Sequence, residues 1–166
     1  MKKIVVSILF SVAVFAAPQV GDKAVEFSLP SLTLKDKTVK MQDYNNKLIL
    51  FNVWASWCKG CKKEMPFFHK LGKKYAQDNF EVVAINIDKK GKKAQSYVKK
   101  LNEKLGEIAK ITFAYDKKKS MPEAYEAKVV PFSLLINNGK IIKSYYGSFK
   151  EDNEHEVIAD IEAALK

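Results

Sequence analysis

The chain contains no arginine. Its 29 basic residues are all lysine, set against 19 acids, for a formal charge of +10. Arginine's planar fork is the usual reader of bases and phosphates. An all-lysine excess scattered along the chain, with no reading motif, therefore argues against a nucleic-acid partner. It leaves attraction to acidic partners or anionic surfaces open. Cysteine is nearly absent, being limited to Cys58 and Cys61, and histidine is limited to His69 and His155. A structural zinc site would need about two further Cys or His ligands, and the chain offers only His69, two turns into the expected active-site helix, and His155, near the C-terminus, so no metal is expected. There is no internal repeat, no low-complexity tract and no long linker. With 47% hydrophobic residues over 166 positions, a disordered chain is excluded and one domain with a real core is expected.

The one long apolar run opens the chain. Lys2 and Lys3 precede Ile4 to Phe15, which is broken only by Ser7 and Ser11, and Ala16, Ala17 and Pro18 follow. This is the layout of a secretory signal peptide cleaved after Ala16 or Ala17. The run is shorter than the ~20 residues of a spanning helix, and no cysteine near the cleavage point offers a lipid attachment site. The expected division is residues 1–17 as signal peptide and 18–166 as the folded domain, in an exported protein. Thiols pair in oxidising compartments. A bridge between residues three apart closes too short a loop to staple a fold effectively, so Cys58 and Cys61 point to reversible chemistry instead.

Along the remaining chain, Phe27–Thr33 and Thr38–Met41 read as an N-terminal hairpin about the turn Lys35-Asp36-Lys37. Leu48–Trp54 is a near-continuous apolar run, as in a strand covered on both faces. A helix follows the cysteines to about Gln77, with Pro66 expected to kink it. Phe80–Ile87 reads as a second buried strand. Ala94, Val98, Leu101 and Leu105 mark an amphipathic helix, and Ile111–Tyr115 another strand. Ser120-Met121-Pro122-Glu123 has the form of a capping box. Phe132–Ile136 and Lys140–Tyr146 flank the hairpin signal Asn137-Asn138-Gly139. A last helix is expected from about Lys150 to Leu165. This order predicts an α/β domain with a central mixed β-sheet flanked by helices.

A Cys-x-x-Cys directly after a buried strand and at the start of a helix has a chemical meaning. Unpaired N–H groups and the positive end of the helix dipole favour a thiolate on Cys58, the attacking form. Cys61, one turn further in, is placed to close a disulfide. In the reducing direction, Cys58 attacks a substrate disulfide and Cys61 then resolves the mixed disulfide. The reverse sequence oxidises a dithiol.

The segment Trp54-Ala55-Ser56-Trp57-Cys58-Lys59-Gly60-Cys61-Lys62-Lys63-Glu64-Met65-Pro66 resembles the active-site segment of TlpA/ResA-type (CcmG-type) thioredoxin-like proteins. The likeness extends over nearly all the chain after the signal, including Asp116 and Val129-Val130-Pro131-Phe132. It implies a thioredoxin-like fold with an N-terminal β-hairpin extension and a central inserted β/α segment. It further implies that Pro131 is cis and faces the disulfide, that Val130 offers backbone hydrogen bonds to a substrate peptide, and that Glu64 lies beneath the cysteines and tunes their titration. A carboxylate near two sulfurs disfavours thiolate and itself titrates higher on burial. It could also shuttle the proton of Cys61. Trp57 offers a contact surface, and Trp54 shields the site or packs the core. Two positions depart from the pattern. Lys59-Gly60 stands between the cysteines where proline is common, and Val130 stands where many members have threonine. Lys59 favours the Cys58 thiolate and hence an oxidant, and Glu64 pulls the other way.

The expected protein is thus a periplasmic thiol–disulfide oxidoreductase. It has no cofactor beyond the redox-active Cys58–Cys61 disulfide and acts as a monomer. The resemblance implies reduction of disulfides in exported proteins such as apocytochrome c, and re-reduction by a membrane thiol-reductant of DsbD/CcdA type. A DsbA-like dithiol oxidase is the alternative. A peroxiredoxin would carry a threonine three residues before its cysteine and no Cys-x-x-Cys. A copper-delivery module would want wider cysteine spacing and a downstream histidine.

Overall fold

In a computed structural model, residues 16–106 and 110–166 are described. The proposed signal segment up to Phe15 lies outside them. Among the described residues seven strands and four helices follow one another: β1 (Ser28–Pro30), β2 (Thr38–Lys40), β3 (Leu48–Trp54), α1 (Lys59–Lys74), β4 (Phe80–Asn86), α2 (Gly91–Leu105), β5 (Ile111–Tyr115), α3 (Ser120–Ala124), β6 (Phe132–Asn137), β7 (Lys140–Tyr146) and α4 (Glu154–Ala164). A single 3-10 turn, Met41–Tyr44, joins β2 to β3.

The central sheet has the order β5-β4-β3-β6-β7. The β3–β4 and β4–β5 pairs are parallel, and β3–β6 and β6–β7 are antiparallel. All seven residues of β3 are buried, because the strand sits mid-sheet with both faces covered. This is the thioredoxin-like mixed sheet, with α2 and β5 as the inserted segment between β4 and α3. The N-terminal hairpin β1–β2 is a separate two-stranded sheet. Its flanking residues protect both edges of the main sheet. Lys23 bridges Lys140 at the start of β7, and Ser31 bridges Ala114 on β5. Covered edges do not recruit foreign strands.

Four local expectations need correction. The hairpin strands are shorter than Phe27–Thr33 and Thr38–Met41. The capping box at Ser120 does not form. Lys119, at φ 59°, precedes the helix and makes no side-chain cap bond. Asp116 does that work from four residues upstream: its Oδ2 accepts from Met121 N (2.8 Å) and its Oδ1 from the Ser120 hydroxyl (3.1 Å). Asp116→Ala should therefore destabilise the fold by about 1–2 kcal/mol, measured by urea unfolding, because a buried N–H loses its acceptor. Helix α4 starts at Glu154 and not Lys150. Asn153 Oδ1 accepts from Lys150 N (2.7 Å) and closes a turn that competes with the first helical turn. Helix α1 runs unbroken through Pro66 and stops at Lys74, short of Gln77. Among the described residues no helix is long and apolar enough to cross a membrane.

Candidate functional site

Strand β3 delivers the Cys-x-x-Cys motif to the carboxyl end of the sheet, where open α/β sheets place their sites. The loop that carries it is fixed from the neighbouring strand. Asn86 Oδ1 accepts from Asp88 N (3.1 Å), and Asp88 Oδ1 accepts from Ser56 N (3.0 Å). Cys58 is then the N-cap of α1, and its Sγ accepts from Cys61 N at 3.1 Å. The two cysteines are joined in a disulfide, with Cα atoms 5.3 Å apart. They are not equivalent. Cys58 keeps 8% of its surface exposed, and Cys61 none. An incoming sulfur can reach only the first.

The Val130–Pro131 peptide bond is cis. The Val130 carbonyl oxygen lies 3.6 Å from Cys58 Sγ, and the Pro131 carbonyl accepts from Gly147 N (3.0 Å). Gly60 gives room to the Ser148 side chain. A Cβ built there would lie 3.3 Å from Ser148 Cβ and Oγ and 3.7 Å from Pro131 Cδ. Cys58, Gly60 and Cys61 thus converge with Val130 and Pro131, from two segments of chain far apart in sequence. Trp57 stands at the rim, 63% exposed, and Lys59 is also exposed. Trp54 belongs to the core: it is fully buried between Tyr97 and Phe113, with ring centroids 5.8 and 6.0 Å away.

Glu64 follows Cys61 by one helical turn on the same face of α1. It is fully buried. Its Oε1 accepts from Asn52 Nδ2 (3.0 Å) and its Oε2 from Phe149 N (3.1 Å). Burial dominates over these two bonds and pushes its pKa up to about 8, so the carboxyl is largely protonated at neutral pH. Asn52 also donates to Ser133 Oγ (2.9 Å), its direct partner in the β3–β6 register. Sequence reasoning missed Asn52, Ser133 and Asp88, although a polar residue inside the apolar strands β3 and β6 is a visible signal for the first two. Asn52→Leu should raise the Glu64 pKa further, because it removes a donor that favours the carboxylate. The check is a higher pH midpoint in the pH dependence of urea unfolding. The same change should cost about 1–3 kcal/mol by stranding Ser133.

Comparison with known proteins agrees with this geometry. The family model described as Redoxin matches residues 19–165. A thiol-disulfide oxidoreductase ResA of Geobacillus thermodenitrificans is 33% identical over 141 residues, covering 82% of this chain and 75% of that protein. A ResA of Bacillus thuringiensis is 28% identical over 144 residues, covering 86% and 79%. Among solved structures, a Chlorobium tepidum protein assigned as thiol:disulfide interchange protein DsbE superposes with a TM-score of 0.79 at 33% identity, covering 89% of this chain and 99% of that one. A thioredoxin-class protein from Neisseria meningitidis gives 0.70 at 32% identity, covering 88% and 91%. The chain belongs to the redoxin family, as a thiol–disulfide oxidoreductase of ResA/DsbE type whose Cys-x-x-Cys pair is Cys58 and Cys61.

Proposed function

We propose that this enzyme is exported, loses residues 1–17 by cleavage near Ala16 or Ala17, and works in the periplasm as a reductase of disulfides in exported proteins. Apocytochrome c is the leading substrate, since its haem site presents a Cys-x-x-Cys. The Cys58–Cys61 pair is the sole redox group, and a membrane thiol-reductant of DsbD/CcdA type restores it.

The buried Glu64 carboxyl carries this reading. To resolve a mixed disulfide, Cys61 must lose its proton inside the protein. A carboxyl titrating near 8, one turn away, is matched to an ordinary thiol near 8.5 and can take that proton. The ionised fraction of this carboxyl, which grows as the pH approaches 8, disfavours thiolate on the pair and so makes the reduced form a better donor of electrons.

The reduction potential of the Cys58–Cys61 couple, measured by equilibration with a thiol redox buffer, tests the direction. A value at or below roughly that of thioredoxin, −270 mV, is expected; a value near −120 mV would make the protein an oxidant. Lys59 beside Cys58 and Val130 before Pro131 favour that second reading.

A further inference from the structure

We propose that a lysine-lined channel beside the disulfide docks an acidic polypeptide segment of the substrate or redox partner; this rests on the reading of the protein as a reductase of protein disulfides. The channel has two adjoining parts that share Ser56, two residues before Cys58. One is a cavity of about 410 Å³ bordered by Lys62, Lys92, Lys93 and Lys100. The other, of about 360 Å³, is bordered by Lys89, Lys90, Lys93 and the exposed ring of Trp57. The inserted helix α2 forms one wall and the start of α1 the other. Tyr97 ties the two walls together, its hydroxyl donating to the Lys62 carbonyl (3.1 Å).

The charge here is not compensated. Six acids fall in the last 16 residues, and the ion pairs among the described residues include Lys70–Glu154, Lys74–Glu162 and Lys143–Asp160, which join α4 to α1 and β7. The fourth pair is Lys47–Glu81. None of the six channel lysines takes part in an ion pair among the described residues. The acid on the channel wall, Asp88, is 3% exposed and holds the Ser56 backbone. A cluster of lysines without ion-pair partners among the described residues, bordering cavities that include Ser56 and Trp57, complements carboxylates on a bound polypeptide. Such complementarity acts mainly on encounter rate and register. A polypeptide is favoured over a lipid surface because the channel reaches Ser56 and Trp57, which immediately precede Cys58 in the chain, so a segment lying in it belongs to the protein whose sulfur arrives there.

The test uses the reduced protein and three peptide disulfides whose flanks are acidic, neutral or basic. In about 20 mM salt, kcat/KM for the acidic peptide should exceed that for the basic one by about 10-fold or more, and the gap should close to within about 2-fold at 1 M salt. The triple variant K92E/K93E/K100E should lose or invert the preference, and K92Q/K93Q/K100Q should reduce it, with the neutral peptide changed by less than about 2-fold in both. Equal charge reversal outside the channel, K35E/K118E/K166E, should keep the preference. Equal rates for all three peptides in the unaltered protein would overturn the docking channel alone. Failure to reduce even the neutral peptide would overturn the reductase reading and the channel with it. Channel-dependent binding to phosphatidylglycerol vesicles with no peptide preference would assign the lysines to a membrane instead.

Discussion

Replacing Cys58 by serine should abolish reduction of a peptide or insulin disulfide, lowering the rate by at least about 1,000-fold, because the attacking nucleophile is gone. Replacing Cys61 by serine should give a different defect: attack proceeds once and the mixed disulfide accumulates. The asymmetry follows from geometry. Cys58 is the partly exposed sulfur, and it sits at the N-cap of α1 where Cys61 N donates to it. The same donor and the helix dipole stabilise its thiolate. Cys61 is wholly enclosed and can reach only Cys58. In the cycle, the Cys58 thiolate bonds to one substrate sulfur and the other leaves as thiolate. Cys61, having given up its proton, then bonds to Cys58 Sγ and expels the first substrate sulfur. The substrate gains two electrons and the pair loses two. Gel shift and mass spectrometry of the trapped species would identify substrates in cells. Trapping by the Cys58 variant and not by the Cys61 variant would reverse the assignment.

The second large effect concerns stability. Glu64 titrates near 8 in the folded protein against 4.5 for an ordinary glutamate. Between those values the folded state binds a proton that the unfolded chain has released. Unfolding free energy therefore falls as pH rises across this window, with a slope of up to ~1.4 kcal/mol per pH unit. The stabilisation is fully present below pH 4.5 and gone above about 8. Glu64→Gln does not titrate, so the stability difference between variant and parent should change by about 3 to 5 kcal/mol between pH 5 and 9, in favour of the variant at the alkaline end. Urea unfolding of the oxidised protein is the measurement, since the disulfide keeps the cysteines from titrating. Parallel curves for the two proteins would show that Glu64 is not protonated in the folded state.

Much of the fold was legible because its signals are local. The seven apolar residues from Leu48 to Trp54 mark a strand covered on both faces wherever they occur, and Asn137-Asn138-Gly139 marks a hairpin through its need for positive φ at Asn138 and Gly139. Local signals failed where a competitor reached in from outside the window. The four-residue pattern predicts a cap at Ser120, yet Asp116 captures both the Ser120 hydroxyl and Met121 N. Asn153 captured Lys150 N and delayed α4.

The redox pair, its place after a buried strand at the start of a helix, and the order of strands and helices are all written in the chain locally, because each depends on neighbours within a few residues. Only the tertiary structure decided that Asn52 on β3, Ser133 on β6 and Phe149 after β7 surround one carboxyl, and that lysines of α1 and α2 face one channel. Those groups lie tens of residues apart along the chain, and no local periodicity encodes which strands pair or which helix faces meet. It is that pairing which takes Glu64 out of water and gives it a proton affinity no segment of the chain possesses alone.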